Sequence, residues 1–275
     1  MARSSWRKKQ ARSVQPAQGR SRNRETRQRF NPHIETLEDR CLLDCTASDV
    51  ASLTDCIEQF DTGTNSGIIN LTAGTYALDV NLPPITAPGT TIKGPPSAVP
   101  QACIQRDANS MATVGLTVLG GTSNVANLCI GSFTDSIAPG TGLALGTNGN
   151  DTVQNCYLGF GYDANTGGIV PMPNTEGMEI VGAVSNNTIG GTMAGQGNVI
   201  ANNVDNGLEI QSGSTHNEII GNFIGTDQAD TPNEGNGTGL KVESDLNTIG
   251  GTVANYRNLV SGNQGIGIWL NGSHT

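Results

Sequence analysis

The sequence predicts an all-β solenoid, a chain wound into stacked coils whose short strands pair as parallel sheets. Two observations carry this. First, the chain repeats itself: NTIGGT stands at 187–192 and again at 247–252, and Asn198 with Asn258, Asn203 with Asn263, Gly207 with Gly267 and Leu208 with Ile268 keep the same offset of sixty. Matched glycines, asparagines and exchangeable aliphatics at a fixed offset indicate repeated structure. Second, beyond residue 40 the composition suits strands and tight turns. It is rich in Gly, Asn and Thr, poor in helix formers, and Val, Ile and Leu return every few residues.

The elements follow in order. Residues 1–43 form a basic tail expected to be disordered, since residues 1–40 hold 11 of the 15 Lys and Arg but 4 of the 24 Asp and Glu. The remaining chain carries 4 basic and 20 acidic residues, a net charge of −16. So acidic a body is not built to neutralise phosphates, and no nucleic-acid partner is expected for the coils. No apolar run approaches the roughly 20 residues of a membrane-spanning helix. Within 44–62, Ser48 or Asp49 can cap a helix on which Val50, Leu53, Ile57 and Phe60 recur at helical spacing. Cys45 and Cys56 flank a short stretch and are candidates for a disulfide, whereas Cys129 and Cys156 sit in strand-like runs and read as small buried apolar residues. Residues 63–275 are the coils. A period of sixty divides into three coils of about twenty residues, giving about ten coils and a rod near 50 Å. Stacked asparagines are expected to hydrogen-bond amide to amide. With the last strands unpaired, further coils or a partner are expected to cover the C-terminal edge, and the chain reads as a piece of a longer solenoid.

Three stretches resemble known families. In RFNPHIETLEDRCLL, positions Leu37, Glu38, Arg40, Leu42 and Leu43 resemble the N-terminal L-E-P-R-x-L-L motif of large exported proteins of planctomycete-type bacteria, with Asp39 in place of proline. The resemblance implies a secreted or cell-surface protein. Ser52, Leu53 and Ile57, followed by LTAGTY at 71–76, resemble the C-S-L-R-E-A-like N-terminal cap of β-helix proteins, although Thr54, Asp55 and Cys56 depart from it. NTIGGT, GNVI and NFIGTD resemble the repeats of right-handed parallel β-helices of bacterial surfaces, a group that includes pectate lyases, polygalacturonases and adhesive rods. That implies the right-handed parallel β-helix fold, but it allows several functions.

Candidate chemistry is sparse. A lyase of this fold needs carboxylates that hold calcium and an Arg or Lys as base; a hydrolase needs two carboxylates at a set separation. The basic residues after position 40 are Lys93, Arg106, Lys241 and Arg257. The loop TDQADTPNEG offers Asp227, Asp230 and Glu234 as a calcium or sugar site, or simply as a solvated acidic loop. Glu179, Glu209 and Glu243, in GMEI, GLEI and GLKVE, can line one outer face with Lys241 and Arg257, or be ordinary outward polar residues. Trp269, Tyr157, Phe160, Tyr162 and Phe223 can stack on sugar rings, with Phe223 expected over Tyr157. No catalytic residue, cofactor or metal is assigned beyond the possible calcium. The expected function is a non-catalytic exported rod that binds polysaccharide or cell-envelope components. The alternative is a carbohydrate-active lyase or hydrolase.

Overall fold

The computed structural model describes residues 43–61, 66–134, 140–227 and 234–272. The basic tail and export-like motif lie outside them, save Leu43. By compactness the chain divides between Asp39 and Arg40.

The body is a parallel β-helix with three sheets. The first stacks eight strands: Leu43–Ala47, Gly67–Leu71, Thr91–Lys93, Asn124–Ala126, Thr152–Gln154, Thr188–Gly190, Glu218–Ile220 and Thr248–Ile249. The second stacks seven, from Gly74–Leu78 to Leu259–Val260, and the third six, from Val114–Val118 to Ile268–Leu270. Every pairing within these sheets is parallel. Among the described residues the one antiparallel pair is a hairpin, Phe160–Asp163 with Gly168–Pro171.

Register makes each inward position a column. Ile69, Ile92, Val125, Val153, Ile189 and Ile219 stack in the first sheet, and Leu116, Leu143, Met178, Leu208 and Leu240 in the third. All are buried, each contributing roughly 1.5–3 kcal/mol by removing its side chain from water.

The coil is longer than the sequence suggests. Thr188, Glu218 and Thr248 are in-register partners, so one coil takes thirty residues and the repeat of sixty is two coils, not three. The middle copy of NTIGGT is NEIIGN at 217–222. Its likeness to the other copies is hidden because the corners alternate in length. Successive asparagines of the second corner lie 24 and then 36 residues apart, those of the third 33 and then 27. Each pair restores sixty while the single coil differs from its neighbour. The first sheet accordingly holds eight strands rather than ten coils' worth, a stack of about 34 Å.

Amide ladders run along all three corners. In the first, Asn187 Nδ2 donates to Asn217 Oδ1 at 2.8 Å and Asn217 Nδ2 to Asn247 Oδ1 at 3.0 Å. In the second, Asn198, Asn222 and Asn258 repeat this at 2.9 and 3.1 Å. In the third, Asn174, Asn203, Asn236 and Asn263 do so at 2.8–3.1 Å. The matched glycines make room. A Cβ on Gly177, Gly207 or Gly239 would stand 2.6 Å from the Nδ2 of a third-corner asparagine. At the N-terminal end of the first ladder Asp151 replaces Asn. Its Oδ1 accepts from Ser123 N–H, but its Oδ2, in the place of the amide nitrogen, has no partner. Burial pushes this carboxyl up to about 6, against the backbone hydrogen bond from Ser123.

Helix Val50–Asp61 plugs the N-terminal end, with Leu53, Cys56, Ile57 and Phe60 buried against the first coil. Asp49 caps it. Asp49 Oδ1 accepts from Ser52 N–H at 2.8 Å and Ser52 Oγ accepts from Asp49 N–H at 3.1 Å, a reciprocal capping box with serine in the usual Glu place. Cys45 and Cys56 form a disulfide that ties the plug to the first strand.

Cys129 corrects its reading as a free buried residue. Parallel register sets it directly beside Cys103 one coil earlier, Cα to Cα 4.5 Å, and the two are bonded. Twenty-six residues of sequence hide what stacking makes adjacent. Cys156 is buried and free, its thiol pushed by burial up to about 12 and so unreactive at neutral pH.

Candidate functional site

The outer column of the third sheet runs Thr117, Ala144, Glu179, Glu209, Lys241, Trp269, each an in-register neighbour of the next. Strand alternation explains it. Met178 and Ile180, Leu208 and Ile210, and Leu240 and Val242 point inward, so Glu179, Glu209 and Lys241 point out. Four residues singled out in the sequence therefore come together. Lys241 Nζ lies 2.8 Å from Glu209 Oε1 and 2.9 Å from Glu243 Oε1. Glu179 accepts from Thr141 Oγ1 at 2.5 Å and from Gln211 Nε2 at 3.3 Å. Lys241 also sits 5.2 Å from the centre of the Trp269 ring, a cation–π contact on a ring that is 40% exposed. Burial pulls the Lys241 ammonium down, but the hydrogen bonds it donates to Glu209 and Glu243, with their negative charges, outweigh it and hold it above its usual value.

Beside this column is a second, one that sequence reasoning missed: Thr141, Glu176, Asn206, Thr238. Its last three members, Glu176, Asn206 and Thr238, line a groove of about 250 Å³ with Asp205, Lys241 and Trp269. Glu176 is 9% exposed and its Oε2 accepts from Asn206 N–H at 3.1 Å. Burial pushes its carboxyl up to about 7, against the Asn206 hydrogen bonds, and the negative charges of Glu209 and Glu179 raise it further. The signal was present in the sequence. TEGMEI, DNGLEI and GTGLKV each place a polar residue directly before the corner glycine. Simple alternation turns Glu176 inward with Met178, and only the corner brings its carboxyl to the groove.

The other candidates lie elsewhere. Arg257 follows the 3₁₀ turn Ala254–Tyr256 and lines a cavity of about 340 Å³ with Gly191–Gly197 and Phe223, away from Lys241. Asp227 and Glu234 approach each other near Tyr157. Burial and then Asp227 raise the Glu234 carboxyl, and burial followed by both carboxylates raises the Tyr157 hydroxyl. Asp230 lies outside the described residues. Among those described, no group of three His, Cys, Asp or Glu side chains is placed to hold a metal.

Phe223 does not stack on Tyr157, because Val199 stands between them in the column. That column, on the outside of the second sheet, begins at Thr75 and from there runs through Cys103, Cys129, Tyr157, Val199 and Phe223, a largely apolar row. The hairpin shelters its first half, Phe160 packing on the disulfide and on Tyr157, with ring centres 5.5 Å apart. The hairpin, through Tyr162 and Ile169, also overhangs a shallow cavity of about 510 Å³ with Val99, Pro100 and Gln101.

No family model matches the sequence, and no curated protein matches it. A crystal structure of Escherichia coli ybhc is similar at 12% identity and a TM-score of 0.33, over 80% of this chain and 68% of that one. A likeness so loose carries no argument.

Proposed function

We propose that the chain is a non-catalytic, exported β-helix module that binds saccharide along the outer face of the third sheet. The observation that supports it most is the in-register row Glu179, Glu209, Lys241, Trp269. Parallel stacking sets hydrogen-bonding groups about 4.8 Å apart and ends them at an exposed indole. Such a row offers acceptors and a donor to successive hydroxyls and a flat apolar face to a sugar ring. The two disulfides, Cys45–Cys56 and Cys103–Cys129, favour an oxidising compartment, in keeping with the export-like motif.

A second reading has its own support. Glu176, poised at about 7 beside Glu209, has the character of a general acid, as a glycoside hydrolase would need. One experiment separates the two. The protein is incubated with neutral and acidic polysaccharides, with and without calcium, and both new sugar ends and loss of protein from solution are measured. Depletion without new ends is the expected result. New ends that vanish in Glu176→Gln, with depletion retained, would replace the binding module by an enzyme. Neither depletion nor cleavage would defeat both readings.

A further inference from the structure

We propose that the saccharide bound along the outer face of the third sheet is an amino sugar with a free ammonium group, which enters the groove lined by Glu176 and Asp205. The assignment rests on the saccharide-binding reading above and narrows it from sugars in general to one charge class.

The charges of this face do not balance. Glu179, Glu209 and Lys241 stand in register, with Glu243 two residues beyond Lys241, and Glu176 and Asp205 line the groove beside them. Lys241 cannot serve the groove, because its ammonium is already held by Glu209 at 2.8 Å and Glu243 at 2.9 Å. Glu179 is satisfied by neutral donors, Thr141 Oγ1 and Gln211 Nε2. That leaves two groove carboxylates without a counter-charge. Among the described residues no cation pairs with Glu176 or Asp205, and the hydrogen bonds to Glu176 come from Asn206, whose backbone N–H meets its Oε2 at 3.1 Å. Glu176 is nine-tenths buried in the groove wall. Burial first, and then the charges of Glu209 and Glu179, push its carboxyl up to about 7, as expected of a carboxylate with no cation beside it.

This arrangement selects by charge. An acidic sugar would bring a further carboxylate against five, with Lys241 already committed, and like charges held this close repel. A metal dication is a poor fit, since calcium takes six or more oxygens and no group of three acidic, His or Cys side chains among the described residues is placed to hold one. A sugar ammonium needs less. It is a single charge with three donors, which two carboxylates satisfy in part while the neighbouring hydroxyls meet Thr238 and Asn206. Its ring can lie against the exposed indole of Trp269.

The test compares short oligomers of glucosamine, N-acetylglucosamine and galacturonic acid, matched in length, by calorimetry at about pH 6.5, below the titration of an amine. Glucosamine oligomers are expected to bind roughly tenfold or more tighter than the acetylated ones, and galacturonate not to bind. The preference should shrink to within about twofold in the double variant Glu176→Gln, Asp205→Asn. It should persist in Asp44→Asn, Glu218→Gln, which removes the same charge from the first sheet and so controls for general attraction to an acidic body. Lys241→Met is no substitute, because it frees Glu209 and Glu243 while it releases the indole. Equal affinity for the acetylated and free-amine oligomers, or binding of galacturonate, would overturn the amino-sugar assignment and leave saccharide binding standing. A preference that survives the groove variant, or a lysine oligomer that binds as tightly as the glucosamine one, would overturn it too. Binding of none of the three would do the same, and the polysaccharide depletion assay would then decide whether saccharide binding itself survives.

Discussion

The outer faces of the second and third sheets are built by the same coils, at the same rise, over the same buried columns, and they differ in kind. Outside the second sheet the column is Cys103, Cys129, Tyr157, Val199, Phe223, its first half cross-linked by a disulfide and covered by a hairpin. Outside the third it is Glu179, Glu209, Lys241, Trp269, a charged row whose last two members, Lys241 and Trp269, line a groove. Stacking amplifies whatever a coil puts outward, since like positions repeat every 4.8 Å. Apolar residues in that frame become a second small core, and charged residues become a binding strip. The contrast predicts that damage to the first costs stability and damage to the second costs recognition.

The largest expected effect tests the stability half. Cys129→Ala removes the cross-link between adjacent coils, 26 residues apart in sequence, and should cost about 3 kcal/mol in denaturant unfolding. Saccharide depletion under native conditions should be unchanged. Weakened binding with unaltered stability would erase the division between the faces.

Two buried carboxyls sharpen the contrast through pH. Asp151 and Glu176 are both raised, to about 6 and about 7, from ordinary values of 3.8 and 4.5. In each case the folded state holds the proton more tightly than the unfolded one. Stability is therefore greatest below the ordinary value and falls as pH rises through the folded one. Asp151→Asn completes the first amide ladder and should make the protein more stable at pH 7 by on the order of 1–2 kcal/mol, with little gain near pH 4, and leave binding alone. Glu176→Gln should remove the separate fall between about pH 4.5 and 7, a smaller gain because groove water screens the group, and should also change the pH dependence of binding. A binding profile moved by Asp151→Asn, or unmoved by Glu176→Gln, would mean that the groove is not the site.

How far the sequence showed this depends on distance along the chain. The capping helix was legible because Leu53, Ile57 and Phe60 are a local pattern, and the Cys45–Cys56 pair because only 11 residues separate its members. The amide ladders were legible because Asn recurs at a fixed offset. The coil length was not, because NEIIGN looks unlike NTIGGT once the corner insertion moves to the other side of the coil. The same error hid the Cys103–Cys129 bond and left Val199 out from between Tyr157 and Phe223. Each needs the register, and the register needs the true period. Glu179, Glu209 and Lys241 escaped that error because alternation alone turns them outward. Glu176 did not, since it sits at a corner where alternation stops.

The smallest effect concerns the strip itself. Lys241→Met removes the partner of Glu209 and Glu243 and the cation over Trp269. Both ion pairs are partly open to water, with side-chain exposures of 18% for Lys241, 11% for Glu209 and 29% for Glu243, so stability should fall by less than about 1 kcal/mol. Saccharide affinity should fall several-fold, since the donor in the row and the orientation of the indole go together. A double-mutant cycle with Glu209→Gln, read by unfolding, isolates the pair, and its coupling should be at most about 1 kcal/mol and shrink with added salt. A coupling near 3 kcal/mol that ignores salt would mean that the pair is as secluded as a core contact. Lys241 would then belong with the disulfide as part of what holds the coils together, and the two outer faces would differ in composition but not in role.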